Sequence, residues 1–331
     1  AGDLDGDGDL DLAVAQFGYD EGEIIWMENV GGWDYRPHSL LSLSGGINAT
    51  IADFNGDGWP DLLITIMGHY ARVPAGFAIA YGGPDGYSME RCVFKDTGMS
   101  PVGVDIADLD NNGYLDLIVP AYSTKDTREL PCQIYFGSEN GIDLDNPREI
   151  MANSSTACFT VDLNGNGYRD LILVCHRDNL SHFVDSKVYR NGPDGISDDD
   201  YFTLPGMGPH YVASRGLGNQ LDRSPHEYYI SVPYEMIGKL KSLNWEAEVP
   251  QKTKLRFQLR TAATKQGLDK ASWFGEHGEG GFFIDKGREE AGCDFTSDGW
   301  IQYRAIFTST NGCLSPKLKS VTVTGAVSSS I

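Results

Sequence analysis

The sequence predicts an all-β protein in which a partial set of β-propeller blades is followed by a β-sandwich. Three observations predict this fold class: a segment repeated about every fifty residues, short Val-, Ile- and Leu-rich runs within each period, and alternating strands near the C-terminus. The chain shows no 3.6-residue apolar pattern, which argues against a helical solenoid. The predicted domains are residues 1–237 for the blades and residues 238–331 for the sandwich.

An acidic nine-residue segment occurs four times, beginning at residues 3, 53, 108 and 162. The copies read DLDGDGDLD, DFNGDGWPD, DLDNNGYLD and DLNGNGYRD. Successive copies begin 50, 55 and 54 residues apart, a near-constant period that indicates stacked or radially arranged units.

Each repeat carries the same order of predicted strands around its acidic loop. An apolar run too short for a helix follows the loop, then a second strand that ends in an aromatic residue, then in most repeats a Gly-rich turn. A further strand precedes every loop except the first. The runs after the loops are Leu12 to Ala15, Leu62 to Thr65, Leu117 to Val119 and Leu171 to Val174. Three or four short antiparallel strands in each repeat are typical of a propeller blade.

The acidic loops have the donor pattern of a calcium site. Side-chain oxygens stand at positions 1, 3, 5 and 9, Gly at position 6 permits a sharp turn, and position 7 offers a backbone carbonyl, which suits a hard cation that takes six to eight oxygens. An EF-hand needs a bidentate Glu at position 12, whereas these loops have Val14, Ile64, Val119 and Leu173 there. The loops are therefore predicted to bind calcium between strands rather than between helices.

Each predicted site has four side-chain ligands and one carbonyl ligand. The side-chain ligands are Asp3, Asp5, Asp7 and Asp11; Asp53, Asn55, Asp57 and Asp61; Asp108, Asp110, Asn112 and Asp116; and Asp162, Asn164, Asn166 and Asp170. The carbonyl ligands are those of Asp9, Trp59, Tyr114 and Tyr168. Because the number of carboxylates falls from four in the first loop to two in the fourth, we expect up to four Ca²⁺ sites with the first strongest and the fourth weakest. Turn propensity alone accounts for the composition of the loops but not for their common register.

In their DxDxDGxxDL core, these segments resemble the FG-GAP/VCBS repeats of integrin-like calcium-binding β-propellers. The resemblance covers about residues 1 to 236; Phe17-Gly18 and Phe136-Gly137 match the FG element, and Gly82-Gly-Pro84 approaches the GAP element. Such propellers usually have about seven blades. The resemblance thus implies further blades upstream of residue 1, consistent with a first repeat that lacks its preceding strand.

A fifth unit begins near His210, but its loop has lost the carboxylates. His and Tyr can act as base and acid, and Arg can neutralise a uronate, which is the chemistry of a polysaccharide lyase. The residues for this alternative are His210, Tyr211, Arg215, His226 and Tyr228. The other interpretation, a degenerate closing blade that packs its aromatic residues, is favoured because no spacing here is diagnostic.

From about Gly238 the period disappears and longer alternating strands follow. Leu255, Phe257 and Leu259 alternate with polar residues, as do Ile301 and Tyr303, which predicts one apolar and one polar face as in a two-sheet sandwich. The general pattern is similar to accessory modules of secreted bacterial proteins, many of which bind carbohydrate. Core packing is the favoured use for most of the aromatic rings between residues 264 and 300.

Composition limits the partners. The formal charge of −21 opposes binding to nucleic acid and to anionic membranes, while cations and neutral sugars remain open, and no apolar run reaches the length of a membrane span. We expect a secreted or cell-surface protein, extracellular or periplasmic, that binds a protein or carbohydrate ligand or assembles with itself. Calcium would be structural, and the binding module is favoured over the enzyme.

Six cysteines show no metal-binding spacing. Cys158 and Cys175 flank the fourth loop, and Cys293 and Cys313 share the C-terminal region, so either pair is a candidate disulfide. Free buried thiols are the equal alternative for both pairs.

Overall fold

The computed structural model describes residues 1–19, 21–210, 226–284, 299–309 and 315–326. The chain divides into two compact units, residues 1–223 with 311–313 and residues 224–310 with 314–331. Cys293 and Cys313 lie outside the described residues, whereas Cys158 and Cys175 are buried and are not joined in a disulfide. In the described chain no helix has the length and hydrophobicity needed to cross a membrane.

Unit 1 contains four antiparallel repeat sheets, one for each acidic loop. The strands of the first sheet are Leu12–Gln16, Glu23–Asn29 and Tyr35–Ser42; of the second, Gly46–Ala52, Asp61–Ile66, Gly76–Ala80 and Cys92–Asp96; of the third, Ser100–Pro101, Asp105–Ala107, Asp116–Ser123, Pro131–Tyr135 and Arg148–Met151; and of the fourth, Ser155–Val161, Asp170–Cys175, Ser186–Tyr189 and Tyr201–Leu204. Smaller elements are the strand pair Gly137–Ser138 and Gly141–Ile142, the helix Gly68–Ala71 and the 3₁₀ turn Met89–Arg91.

The apolar run after each loop forms the predicted strand. These strands are rich in Val, Ile and Leu, whose side chains pack well on a pleated surface. In the second sheet every residue of Asp61–Ile66 is buried, so this strand is covered on both faces. In the first sheet, by contrast, Leu12 and Val14 are 37% and 40% exposed, and residues 1–11 form no strand beside them, only a bridge between Gly2 and Asp11.

The hydrophobic cores of unit 1 lie between neighbouring repeat sheets. One core joins Ile24 and Leu41 of the first sheet to Leu62 and Ile64 of the second. Another joins Ile118 of the third sheet and its neighbours to Cys158, Leu171 and Leu173 of the fourth. A single repeat therefore cannot bury its own apolar faces, which is the usual situation in repeat proteins.

The predicted all-β class with antiparallel sheets is confirmed, and the described residues close into no ring. The strand predicted before the third loop is divided in two: Asp105–Ala107 pairs with the start of Asp116–Ser123, while Ser100–Pro101 pairs farther along it across a bulge.

Unit 2 consists of two antiparallel sheets around one core. The larger sheet contains His226–Ile230, Tyr234–Met236, Gly299–Ser309, Thr253–Ala262, Phe274–Gly275 and Gly278–Glu279; the smaller contains Lys239–Glu248 and Lys317–Ala326; a 3₁₀ helix covers Lys265–Lys270. The core brings Trp245 of the smaller sheet against Phe257 of the larger, with ring centroids 4.4 Å apart. The apolar face predicted for Leu255, Phe257 and Leu259 is thus confirmed.

Two expectations need correction. The strand His226–Ile230 pairs with Gly299–Ser309, so it belongs to the C-terminal sheet rather than to a fifth repeat. The polar face of the larger sheet is also partly covered: Gln258 and Gln302 are buried, and their side-chain oxygens accept hydrogen bonds from Arg304 and Arg260. The guanidinium carbons of Arg260 and Arg304 lie 4.6 and 4.7 Å from the centroid of the Trp273 ring. This aromatic ring therefore covers polar side chains that the alternating sequence pattern predicts to face solvent.

We expect Phe257→Ala to lower the free energy of unfolding by about 3–5 kcal/mol, because the ring is fully buried and its loss leaves a cavity. Val249, which is 49% exposed, supplies the control, and Val249→Ala should change stability by no more than about 0.5 kcal/mol. Urea unfolding followed by tryptophan fluorescence measures both values. Equal effects would contradict the assignment of the core.

Candidate functional site

The last three acidic loops connect adjacent antiparallel strands, the first is closed by the bridge between Gly2 and Asp11, and all four share one pattern of hydrogen bonds. The first-position carboxylates fold each loop around themselves by accepting backbone N–H groups from residues three to five places later. The fifth-position side chain then accepts the N–H of position 7 in every loop. Equivalent positions of the four loops therefore make equivalent hydrogen bonds.

Backbone conformation explains the residue at position 4 of each loop. Gly6, Gly56 and Gly165 have φ values of 86°, 73° and 76°, in the left-handed region that favours glycine. The third loop has Asn111 at this position, with a φ of 58°. Asn tolerates this conformation better than other side chains do, so the one departure from glycine preserves the turn.

The ninth-position aspartates, Asp11, Asp61, Asp116 and Asp170, each join the loop to the strand hairpin that follows. All four are at most 2% exposed. One carboxylate oxygen accepts the N–H of position 2 of the same loop, and the other accepts an N–H at the end of the next strand. The second donors are Asn29, Gly82, Gly137 and Asn191. The sequence alone identifies these aspartates only as candidate calcium ligands. It does not reveal that each carboxylate also joins its loop to the following hairpin.

Two loops gather three carboxylates around one point. Oxygens of Asp3, Asp5 and Asp11 lie within 4.8 Å of one another, and so do those of Asp108, Asp110 and Asp116. In both loops the first and ninth positions are buried and the third is exposed. The second and fourth loops have Asn at position 3, and their carboxylates form no such group in the described structure.

Burial makes several of these carboxylates costly to ionise without a cation. It raises the pKa of Asp116 to about 8, of Asp61 to about 7 and of Asp108 to about 6. The N–H groups of Gly137 and Leu109 act on the pKa of Asp116 in the opposite direction but do not overcome burial. The pKa of Asp162 in the fourth loop is instead lowered, chiefly by the N–H of Gly167.

These residues fit Ca²⁺ by the chemistry of their donors. The first cluster offers only oxygen ligands, and each of its three carboxylates accepts a backbone N–H group. Oδ1 of Asp9 in the same loop is a buried acceptor without a hydrogen-bond partner. A divalent cation would neutralise carboxylates that are otherwise buried beside one another.

The third and fourth loops are linked through side-chain amides. Nδ2 of Asn191 donates to the carbonyls of Leu109 and Arg169, and Nδ2 of Asn111 donates to the carbonyl of Gly167. Nearby, Asp105 accepts hydrogen bonds from the N–H and the hydroxyl of Thr160. No sequence signal identifies these links. Most of them join two residues that are 55 or more positions apart in the chain.

The residues of the lyase alternative are distributed differently. His210 belongs to unit 1, where its ring lies 4.6 Å from that of His176 and 5.7 Å from that of Tyr122. His226 and Tyr228 belong to the larger sheet of unit 2, in which Nδ1 of His226 lies 3.0 Å from the hydroxyl of Thr308. Tyr211 and Arg215 lie outside the described residues.

Comparison with known proteins finds one family similarity. The model of the FG-GAP-like repeat matches residues 3–64, which contain the first two acidic loops. No curated protein matches the chain. Among solved structures, the V. cholerae biofilm matrix protein Bap1 is similar at 12% identity, with a TM-score of 0.34 over 94% of this chain. The chain spans 66% of the length of that structure.

The double hydrogen bonding of the ninth position predicts that Asp170→Ala destabilises the protein without any metal. Two N–H groups would lose their acceptor, at a cost of about 1–3 kcal/mol each where they are buried. Asn164→Ala in the same loop removes an exposed acceptor of one local N–H and should cost far less. Urea unfolding in EDTA compares the variants, and equal losses would contradict the structural role of Asp170.

The raised pKa values predict that the metal-free protein loses stability as pH rises. The folded chain holds protons on Asp61, Asp108 and Asp116 more tightly than the unfolded chain, in which the pKa is near 3.8. This stabilisation is complete below about pH 3.8 and is lost as pH rises through the folded pKa values, about 6 to 8.

We therefore expect Tm in EGTA to fall between pH 6 and pH 8.5, approximate limits that bracket those pKa values. Saturating Ca²⁺ binds the ionised carboxylates and should remove or reverse the fall. Differential scanning calorimetry at matched ionic strength measures both series. A metal-free Tm that rises over this range would show that these carboxylates are ionised in the folded chain without calcium.

Proposed function

We propose that this chain is a calcium-stabilised extracellular module that binds or assembles with partners at a cell surface. In this proposal the four repeat sheets of unit 1 are blades of an FG-GAP-type β-propeller, the two sheets of unit 2 form a β-sandwich, and Ca²⁺ has a structural role. The observation that carries the proposal is the gathering of the carboxylates of Asp3, Asp5 and Asp11, and of Asp108, Asp110 and Asp116. The FG-GAP-like match over residues 3–64 supports it.

The proposal includes up to four Ca²⁺ sites of graded strength. The first loop has the most carboxylates and should bind most tightly, while the fourth has two and should bind most weakly. Extracellular calcium modules bind with Kd of about 10⁻⁴ to 10⁻³ M. At a tenfold excess over Kd, each occupied loop would add about 1.4 kcal/mol of stability.

The physical role of calcium follows from the ninth-position aspartates. Each of these carboxylates already joins its loop to the following hairpin, and the burial of Asp116 opposes its ionisation. A bound cation would stabilise the ionised form and with it this connection. Calcium would thereby order the ends of the strands, and the ordered sheets would present a surface to a protein or carbohydrate partner.

Calcium should raise Tm, because the folded loops bind the ion and the unfolded chain does not. Calorimetry with and without EGTA at one pH tests this expectation. An unchanged Tm would overturn the calcium proposal.

The first cluster should lose calcium affinity when one of its carboxylates is removed. Asp5→Asn replaces an exposed carboxylate of this cluster with a neutral oxygen donor of similar shape. Glu139 is an exposed carboxylate that lies in no acidic loop, so Glu139→Gln is the matched control. Calcium titration by calorimetry should show weaker binding in Asp5→Asn and unchanged binding in Glu139→Gln, and an equal loss in both would indicate a general charge effect instead.

An activity measurement distinguishes the binding-module proposal from the alternative hypothesis that the protein is a polysaccharide lyase. The binding-module proposal expects no unsaturated product when the protein is incubated with uronate polysaccharides in Ca²⁺. Product formation that His210→Ala abolishes would instead favour the enzyme. Ultraviolet absorbance of the new double bond gives the readout.

A further inference from the structure

Three histidines form a cluster in unit 1 near the end of the strand Asp170–Cys175, which begins with a ninth-position aspartate. His176 directly follows the strand Asp170–Cys175, and the rings of His182 and His210 each lie 4.6 Å from its ring, centroid to centroid. Tyr122, near the end of Asp116–Ser123, contacts both His176 and His210 at 5.7 Å. A strand of six residues spans about 20 Å, so this cluster is well separated from the acidic loops.

The central ring is fixed by the backbone. His176 is buried, and its Nδ1 lies 3.0 Å from the carbonyl oxygen of Gly208. With Nδ1–H donating to a carbonyl, Nε2 carries the lone pair, which is the usual arrangement of a metal-binding histidine. Gly208 has a φ of 57°, and a Cβ there would lie 2.0 Å from the carbonyl oxygen of His176 and 2.6 Å from that of His182. This close backbone contact holds the segments of all three histidines together.

We propose that His176, His182 and His210 together bind one divalent transition-metal ion of the Zn²⁺ class. A Zn–N bond of about 2.0–2.1 Å places the centres of two imidazoles on one tetrahedral ion about 5 Å apart. Both contacts of His176 are close to this spacing. The rings meet edge to face at 71°, and in the described structure the three side chains do not yet bring a nitrogen each to within 4.8 Å of one another. His182 and His210 are exposed, so their side chains can turn to direct a nitrogen at a shared ion.

Electrostatics favour a cation over an anion at this cluster. Residues 1–223 contain 35 Asp and Glu against 13 Lys and Arg, whereas residues 224–331 contain 12 against 13. Nearly all of the negative charge of the chain thus lies in the part that carries the histidines, and its field raises the local concentration of cations. Imidazole nitrogen prefers Zn²⁺ and related ions to Ca²⁺, which prefers oxygen. The cluster and the acidic loops would therefore select different metals.

Zinc titration in the presence of calcium tests the proposal. Isothermal titration of the full chain with ZnCl₂ in about 10 mM Ca²⁺, roughly tenfold above the weakest calcium Kd, keeps the acidic loops occupied. The exposed ligands are removed singly and together, as His182→Ala, His210→Ala and the double variant. His277→Ala is the matched control, because His277 is an exposed histidine of unit 2.

We expect one Zn²⁺ per wild-type chain, at least about tenfold weaker binding in each single variant and no change in His277→Ala. Absence of zinc binding by the wild type overturns the proposal. Equal binding by the double variant assigns the zinc to carboxylates and also overturns it.

Discussion

The fold of the repeats depends on a buried carboxylate at the end of each acidic loop. Each ninth-position aspartate accepts one N–H from its own loop and one from the end of the following hairpin. A carboxylate with two backbone donors is strongly held, yet its burial raises the cost of its charge. The loop, the strand and the hairpin are thus joined through a group that a nearby cation would further stabilise.

This arrangement connects the acidic loops to the packing between repeats. The strands that begin at the ninth position supply Leu62, Ile118 and Leu171 to the cores, and these cores lie between neighbouring sheets. A change in one loop is therefore transmitted to the interface with the next repeat. The amide contacts of Asn111 and Asn191 join the third and fourth loops directly, so the two sites share a framework.

The two units use charge in different ways. Unit 1 concentrates acids in loops where backbone N–H groups or a cation can compensate them, and the cluster of His176, His182 and His210 lies near the other end of the strand Asp170–Cys175. Unit 2 is nearly neutral in sequence, and Arg260 and Arg304 lie over the ring of Trp273 while they donate to buried glutamines. Stacked guanidinium groups are weakly hydrated, which explains how they cover the second face of a sheet.

The sequence by itself determined the strands and the loops, because both depend on local chemistry. Alternating or continuous apolar runs specify strands, and Gly or Asn at position 4 with oxygen donors at fixed positions specifies the turn, as Asn111 illustrates. The tertiary structure alone decided which distant residues meet. Three features join residues from separate elements of the fold. They are the pairing of His226–Ile230 with Gly299–Ser309, the hydrogen bond from the second N–H donor to each ninth-position aspartate, and the three-histidine cluster. No local spacing records such contacts, because strand pairing and tertiary packing bring the residues together.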